Sequence, residues 1–132
     1  MRLYFFNNMY FPGIQAGIQA GHAAVELMVK YPGNEEVLDW ATNHKTFIIL
    51  NGGDHMSLEV LYQELMIKHS TYSLAAFREP GANDCLTSLA VLVPEPVYTL
   101  VALLRHDIDV PEDTPAETLL MAKLLNTYGL FR

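Results

Sequence analysis

The sequence predicts a single α/β domain in which four strands alternate with five helices. Its 132 residues suit one domain, because single domains commonly hold roughly 100–150 residues. Just over half of the residues are hydrophobic and 17% are charged, which supplies a packed core and excludes wholesale disorder. Apolar runs rich in aromatic and β-branched residues alternate with helical patterns, and this alternation is typical of α/β proteins.

The first 53 residues predict two strands and two helices separated by turn-forming residues. The predicted elements are a buried strand at Leu3–Phe6, a loop from Asn7 to Gly13, a helix from about Ile14 to Val29, a short helix after Pro32-Gly33, and a strand at Thr46–Leu50 that ends in a turn at Asn51-Gly52-Gly53. Asn34 is the predicted cap of the short helix, with Glu35 and Glu36 in its first turn, where the helix dipole favours anions.

The remaining residues predict three more helices and two more strands. A helix is predicted from about Asp54 or Ser57 to His69, followed by strands at Tyr72–Arg78 and Leu86–Val93. Pro96 opens the next predicted helix, which runs to about His106, and an acidic connector follows at Asp107–Asp113. The last predicted helix has an apolar stripe of Leu119, Leu120, Leu124 and Leu125. Thr114-Pro115-Ala116-Glu117 predicts the start of the last helix, because it combines a capping box with proline at the first helical position.

The composition excludes several classes of protein. An acidic surface repels polyphosphate backbones, so a formal net charge of −7, from 15 acidic and 8 basic side chains, argues against generic nucleic-acid binding. The single cysteine excludes a disulfide framework and a cysteine-rich zinc module, and the histidines lack metal-ligand spacing, so no metal or other cofactor is expected. No apolar run approaches the roughly 18 residues of a membrane span, and residues 1–6 are too short for a secretory signal. We therefore expect a cytoplasmic protein without membrane contact.

The segment from Gly13 to His22 repeats the residues G-I-Q-A twice. A period of four places Gly13, Gly17 and Gly21 along one edge of a helix, and Gln15 and Gln19 one above the other. Each interior helix glycine is unfavourable by up to about 1 kcal/mol relative to alanine, so these glycines need a reason. Two reasons are open: close packing of the helix on a sheet, or close approach of a ligand to the helix N-terminus.

Four segments resemble motifs of the class II peptidyl-tRNA hydrolases, the archaeal and eukaryotic type. Gln19–Val25 resembles the family's helical signature Q-x-x-H-A-A-V, and Arg78-Glu79-Pro80-Gly81 resembles its R-D-A-G turn. Leu86–Leu92 is similar to the strand that follows this turn, and Pro94-Glu95-Pro96 to the start of the family's last helix. The resemblance covers residues from about 2 to 106.

The resemblance implies a mixed four-stranded sheet with helices on both faces, formed by residues 1–106. Residues 107–132 would add an acidic connector and an extra C-terminal helix that packs on the domain or on a partner. The family cleaves the ester that joins a peptide to tRNA, without a metal, and commonly forms dimers. A homodimer or higher homo-oligomer is therefore expected as well.

The departures from the family pattern remove positive charge. Aligned on His22, the sequence has Gly13 and Gln15 where the family has two lysines, one of which is a proposed catalytic or phosphate-contacting residue. Glu79 replaces the aspartate of the family's turn, and Ala82-Asn83-Asp84 replaces its Arg/His-Thr-Gln. A neutral amide donates a hydrogen bond but cannot stabilise developing negative charge as an ammonium group does. Because affinity for tRNA depends on many basic contacts, tRNA is the less favoured partner.

The leading hypothesis is a peptidyl-tRNA hydrolase-like protein that has lost hydrolysis and binds, or sequesters, a small nucleotide-type ligand. The expected ligand-binding residues are Tyr10 and Phe11 as stacking faces, Gly13 at the helix entrance, the neutral donors Gln15, Gln19 and Asn83, and the charged Arg78 and Asp84. Capture without turnover would suit a phage protein in the cytoplasm of an infected bacterium.

Two other hypotheses remain open. An active peptidyl-tRNA hydrolase with an atypical cleft would use His22 and Glu79 as its catalytic residues. A protein-interaction module would instead dock the C-terminal helix on a partner or on a second copy of the chain.

Overall fold

The four strands form one mixed sheet in the order β2-β1-β4-β3 in the computed structural model, which describes residues 1–132. The strands are β1 (Arg2–Asn8), β2 (Phe47–Gly53), β3 (Leu74–Glu79) and β4 (Cys85–Val93). β1 is parallel to β2 and antiparallel to β4, and β3 is antiparallel to β4. The helices are α1 (Ile14–Lys30), α2 (Glu35–Asp39), α3 (His55–Lys68), α4 (Glu95–Arg105) and α5 (Ala116–Thr127). The predicted α/β class, with a mixed four-stranded sheet and five helices, is confirmed.

Helices cover both sides of the sheet. Each strand contributes side chains to both sides, because successive side chains of a strand point in opposite directions. Leu3 and Phe5 of β1 pack against α1 and α2, and we call this side the α1 face. Tyr4 and Phe6 pack in a cluster with buried residues of α3, α4 and α5, and we call this side the α3 face. No helix has the length and apolar character that crossing a membrane requires.

Two of the predicted helix starts are capped by side chains. The Asn34 side chain accepts a hydrogen bond from the backbone N–H of Val37 at 3.1 Å, at the start of α2. The Asp54 carboxylate accepts one from the backbone N–H of Ser57 at 2.8 Å, at the start of α3, which lowers the pKa of Asp54. Each cap satisfies a backbone donor that a helix leaves free in its first turn.

The capping box predicted for the last helix is wrong. The Thr114 hydroxyl donates to the Pro111 carbonyl at 2.7 Å within the connector, and Pro115 precedes α5 with no side-chain cap. The Glu117 carboxylate accepts a hydrogen bond from the Thr71 hydroxyl instead of reaching back to the helix start. Both partners of the predicted box are thus engaged by residues outside the helix.

Helix α5 packs on α4 and joins the core of the α3 face. Its buried residues are Met121, Ala122 and Leu125, whereas Leu120, which the predicted stripe included, is exposed. Residues 107–132 therefore share one core with the sheet.

Strand β2 is longer than predicted and has a neighbour on its outer edge. It runs through the predicted turn at 51–53, where Gly52 is buried and a Cβ in its place would lie 2.5 Å from the Leu58 side chain. On the edge away from β1, the Asn51 N–H donates to the Gly129 carbonyl and the Phe131 N–H donates to the Ile49 carbonyl, both at 2.9 Å. The last residues of the chain thus cover this edge of the sheet.

Candidate functional site

Five of the six buried polar residues lie together where β1 ends, β4 begins and α1 starts. They are Asn7, Asn8, Gln19, Thr87 and Ser88, and we call them the polar cluster. The sixth, His69, lies at the end of α3. Buried polar groups are stable only when they are hydrogen-bonded. The hydrogen bonds of this cluster therefore fix the positions of β1, β4 and α1 relative to one another.

The two asparagines at the end of β1 connect three elements. The Asn7 amide donates to the carbonyl of Ala16 in α1 at 2.8 Å, and its side-chain oxygen accepts from the Ser88 hydroxyl at 2.7 Å. The Asn8 amide donates to the Leu86 carbonyl in β4 at 3.1 Å. The first turn of α1 is thereby fixed to the centre of the sheet.

Gln19 is the centre of the polar cluster. Its side chain is 2% exposed, and its carbonyl oxygen accepts a hydrogen bond from the Thr87 hydroxyl at 2.7 Å. Its amide nitrogen donates to the Glu79 carboxylate at 3.0 Å and to the Gln15 side-chain oxygen at 3.3 Å. Both ends of the Gln19 amide are therefore used, which fixes the orientation of the group.

Thr87 reaches Gln19 because β3 and β4 shift register at this point. Phe77 pairs with Ser88 and Arg78 pairs with Leu86, so Thr87 has no partner on β3. An extra residue of this kind is a β-bulge, and bulges redirect side chains beside functional sites. The bulge allows the Thr87 hydroxyl to contact Gln19.

Glu79 is a half-buried carboxylate that is held at both oxygens. One oxygen accepts from Gln19, and the other accepts from the backbone N–H of Gly81 at 3.3 Å, in a short 3-10 turn at Pro80–Ala82. A carboxylate fixed in this way can accept hydrogen bonds from a ligand or take a proton from one.

The N-terminus of α1 opens beside Glu79. Gly13 precedes the helix with a φ of 62°, a conformation that favours glycine, and no side chain caps the helix. The first turn contains no acidic residue, so its free backbone N–H groups and the helix dipole favour an anion. Gln15 is exposed at this end, Tyr10 is largely exposed on the preceding loop, and Phe11 is half-buried there.

Arg78 is not part of this group. Its side chain lies on the α3 face, where the guanidinium forms a two-point ion pair with Glu59 of α3. This hydrogen bonding raises the pKa of Arg78 and lowers the pKa of Glu59. The structure therefore brings Glu79 to Gln19 but directs its neighbour Arg78 to the other side of the sheet.

The other predicted residues lie around the edge of the group. His22 is exposed and stacks on the Phe77 ring at a centroid distance of 4.5 Å, without a hydrogen bond to Glu79. Asn83 and Asp84 are exposed in the loop after the 3-10 turn, and both have left-handed backbone conformations with φ values of 55° and 57°. Their side chains make no hydrogen bond within the protein.

Close packing on the sheet does not explain the helix glycines. A Cβ added at Gly17 or Gly21 would meet no atom within 4 Å, so neither glycine faces the sheet. The residues of α1 that approach the sheet are Ala16, Ala20, Ala23, Ala24, Leu27 and Gln19. Small alanines, rather than glycines, let the helix lie close to the strands.

Of this group, the sequence pattern indicates Gln19 and Glu79 but not Asn7, Asn8, Thr87 or Ser88. The available signal was the position of these polar residues at the ends of otherwise apolar strands, where a buried side chain requires a partner. The bulge that redirects Thr87 left no local signal in the sequence.

None of the five cavities in the structure is lined by the polar cluster or by Glu79. The largest cavity, about 590 Å³, lies between α4, the connector and α5, away from the polar cluster. No three His, Cys, Asp or Glu side chains are arranged to hold a metal ion. No protein-family model matches the chain, and no curated protein has a significantly similar sequence.

Proposed function

We propose that this chain is a class II peptidyl-tRNA hydrolase-like protein that binds a small nucleotide-type ligand without cleaving an ester. The proposal rests mainly on one observation, which is that the Glu79 carboxylate is held by buried Gln19 beside the uncapped N-terminus of α1. The resemblance of Gln19–Val25 to the family's helical signature supports the same location for the site.

Each part of a nucleotide has a partner in this arrangement. The N-terminal amides of α1 would bind the phosphate. Glu79 and Gln15 would receive or donate hydrogen bonds at the sugar or the base. The exposed ring of Tyr10 would stack on the base.

The charges around the site favour a ligand with few phosphates. Neutral N–H groups replace the lysines of the family, and Arg78 is engaged by Glu59 on the α3 face. A tRNA would bring many phosphates against a chain with a net charge of −7. We therefore favour a mononucleotide or cyclic nucleotide, captured in the cytoplasm of a bacterium or of a phage-infected host.

A thermal-shift titration with mononucleotides and cyclic mononucleotides tests the proposal. A ligand at about 100 times its dissociation constant adds roughly 2.7 kcal/mol to the free energy of unfolding. Gln15→Glu should abolish the shift, because it places a negative charge at the helix N-terminus. Gln63→Glu, at an exposed position of α3, is the control with the same charge change. A complete panel without any shift would contradict the proposal.

An active peptidyl-tRNA hydrolase is the second candidate, and the oriented carboxylate of Glu79 favours it. Incubation with a peptidyl-tRNA distinguishes the two functions. Turnover that Glu79→Gln abolishes would establish the hydrolase and overturn binding without hydrolysis. If the substrate stays intact while a nucleotide still shifts the unfolding transition, the hydrolase is excluded.

A further inference from the structure

We propose that a cavity between the start of β1 and the end of α4 binds the phosphate group of a small phosphomonoester. The cavity has a volume of about 250 Å³, and its lining includes Arg2 and Tyr4 of β1 and Tyr98 and Arg105 of α4. We call it the arginine cavity. Arg2 and Asn7 of the polar cluster are roughly 17 Å apart along β1, at about 3.3 Å per residue, so this inference does not depend on the proposed function.

A strand and a helix bring the side chains of the arginine cavity together. Arg2 and Tyr4 are two residues apart on β1, so they point to the same side of the sheet, which is the α3 face. Tyr98 and Arg105 are seven residues apart on α4, so they lie on one side of this helix, two turns from each other. Regular elements hold side chains more precisely than loops do.

The arginine cavity is positively charged although the chain as a whole is acidic. No acidic side chain lines it, and neither Arg2 nor Arg105 forms an ion pair in a chain with 15 acidic and 8 basic side chains. Arg105 lies in the last turn of α4, where it complements the helix dipole, but this effect does not account for Arg2 on β1. Two guanidinium groups without a carboxylate beside them attract an anion.

The guanidinium group of Arg2 is oriented by an aromatic ring. Its central carbon lies 4.1 Å from the centroid of the Tyr98 ring. Stacking uses the flat face of a guanidinium group and leaves the N–H groups at its edge free to donate. These N–H groups match two oxygens of one phosphate or carboxylate. The Tyr98 ring therefore holds Arg2 in a position from which it can bind an oxyanion.

Tyr4 supplies a neutral hydrogen-bond donor between the two arginines. Its side chain is 3% exposed although it lines the arginine cavity. Burial raises the pKa of Tyr4, and the nearby positive charges of Arg2 and Arg105 oppose this rise. Both guanidinium groups therefore lie near the Tyr4 hydroxyl, which stays protonated at neutral pH and can donate to the same anion.

The position of the charges favours a phosphate group over other anions. The two guanidinium groups lie near one hydroxyl, so a ligand binds best if it offers both negative charges at one point. A phosphomonoester does so, because its phosphate group carries about −1.5 to −2 charges at pH 7 on adjacent oxygens. A dicarboxylate divides the same charge between two groups that a carbon chain separates.

The volume and the apolar part of the lining limit the rest of the ligand. Liquid water fills about 30 Å³ per molecule, so the arginine cavity holds roughly eight water-sized groups. Ile48, Val101 and Ala102 form an apolar wall, which suits a substituent of a few carbon atoms. Pockets for drug-sized ligands hold about 300–1,000 Å³, so a nucleotide is too large to be enclosed here.

Isothermal titration calorimetry at constant ionic strength tests the class of ligand. Methyl phosphate should bind saturably, with a dissociation constant of about 1 mM or lower. Inorganic phosphate should bind more weakly than methyl phosphate, because it lacks the group that contacts the apolar wall. Malonate should also bind more weakly, because its two charges are separated. Absence of saturable binding, or binding of inorganic phosphate or malonate as tight as that of methyl phosphate, would overturn the assignment to a phosphomonoester.

Substitution of the two arginines tests the location of the site. Arg2→Gln and Arg105→Gln should each raise the dissociation constant for methyl phosphate about tenfold or more, because each removes charge-assisted hydrogen bonds. Both positions are exposed, so the variants should remain folded. Lys68→Gln, at an exposed position of α3 outside the arginine cavity, is the control with the same charge change. An equal rise in Lys68→Gln would show an effect of net charge alone and overturn the inference.

Gln15→Glu distinguishes the arginine cavity from the proposed nucleotide site. This variant should lose nucleotide binding at the N-terminus of α1 but bind methyl phosphate as the wild type does. Loss of methyl phosphate binding in Gln15→Glu, with normal binding in both arginine variants, would place the phosphate at α1 and overturn the inference. Methyl phosphate binding that depends on Arg2 and Arg105 would support the inference even if no nucleotide binds.

Discussion

The two faces of the sheet are built from different side chains. The α3 face has a cluster of 17 buried residues, of which one is alanine, and three helices contribute to it. The α1 face has a cluster of 11, of which five are alanine, and α1 supplies most of its helical part. Large aliphatic side chains make up most of the cluster on the α3 face, whereas alanines let α1 lie close to the strands.

The close approach of α1 explains why Gln19 and Thr87 meet on its side of the sheet. An amide side chain on α1 can reach β3 and β4 only if the helix lies near the strands, and Gln19 contacts both Thr87 and Glu79. The α3 face thus provides most of the apolar burial, and the α1 face provides a defined polar geometry. Substitutions on the α3 face should therefore affect stability most, and those on the α1 face should affect the polar geometry.

The largest effect is expected from truncating a side chain in the core of the α3 face. Leu125 of α5 is fully buried there, so Leu125→Ala should lower the free energy of unfolding by about 2–5 kcal/mol. Leu120→Ala on the same helix is the control, because Leu120 is exposed. Urea denaturation measures both. Equal losses for the two variants would show that α5 does not contribute to the core.

A smaller loss is expected from the polar cluster on the α1 face. Gln19→Leu removes the 2.7 Å acceptor of the Thr87 hydroxyl and one of the two donors to Glu79, and should lower the free energy of unfolding by about 1–3 kcal/mol. Gln15→Leu, at an exposed position, should change it little. Combining Gln19→Leu with Thr87→Val should recover part of the loss, since both partners of that hydrogen bond are then apolar. A strictly additive double variant would argue against the coupling.

Local sequence signals were sufficient to predict the order and type of the strands and α-helices. Asn34 and Asp54 cap helices through contacts within three residues, and such contacts depend only on nearby sequence. The capping box at Thr114 and Glu117 failed because the Thr114 hydroxyl bonds to Pro111 within the connector, and the Glu117 carboxylate accepts from Thr71, a residue far away in the sequence. Local rules of this kind hold where no tertiary contact competes with them.

The candidate site was predictable only in part. The helical period correctly placed Gly17 and Gly21 together, but it did not show that this edge faces away from the sheet. The alternation of β3 sends Arg78 and Glu79 to opposite sides, and a sequence-based site that contains both overlooks this. The register shift at Thr87 depends on how β3 and β4 pair, which no local pattern specifies.

Acid should weaken the fold through His69, which lies at the end of α3 and outside the polar cluster. Its ring is 5% exposed, its Nδ1 has no hydrogen-bond partner, and burial lowers the pKa of His69 against the opposing effects of Glu64 and Glu117. The unfolded chain then binds the proton more readily than the folded one, so stability should fall as the pH drops below about 6.5.

Urea denaturation at about pH 7.5 and about pH 5.5 measures this effect. His69→Gln should reduce the difference in the free energy of unfolding between the two conditions. His55→Gln, at an exposed position, is the control for the general effect of removing one histidine charge on the free energy of unfolding. An unchanged difference in the His69→Gln variant would assign the acid sensitivity to other groups.

The smallest effect is expected from the ion pair of Arg78 with Glu59. Both side chains are 38–44% exposed, and exposed pairs contribute at most about 1 kcal/mol. A double-mutant cycle with Arg78→Ala and Glu59→Ala measures the coupling. The proposed nucleotide binding should survive Arg78→Ala, because this side chain lies on the α3 face. Loss of binding in that variant would show that Arg78 leaves Glu59 to contact the ligand.

The pairing of residues 129–131 with β2 has a consequence for self-association into fibrils. An uncovered edge strand is a template to which strands of other molecules can add without limit. The outer edge of β2 carries the run Phe47-Ile48-Ile49-Leu50, whose aromatic and β-branched residues are typical of aggregation-prone segments. Residues 129–131 occupy the backbone groups of Ile49 and Asn51. They add little to the core, but they block one route to amyloid growth.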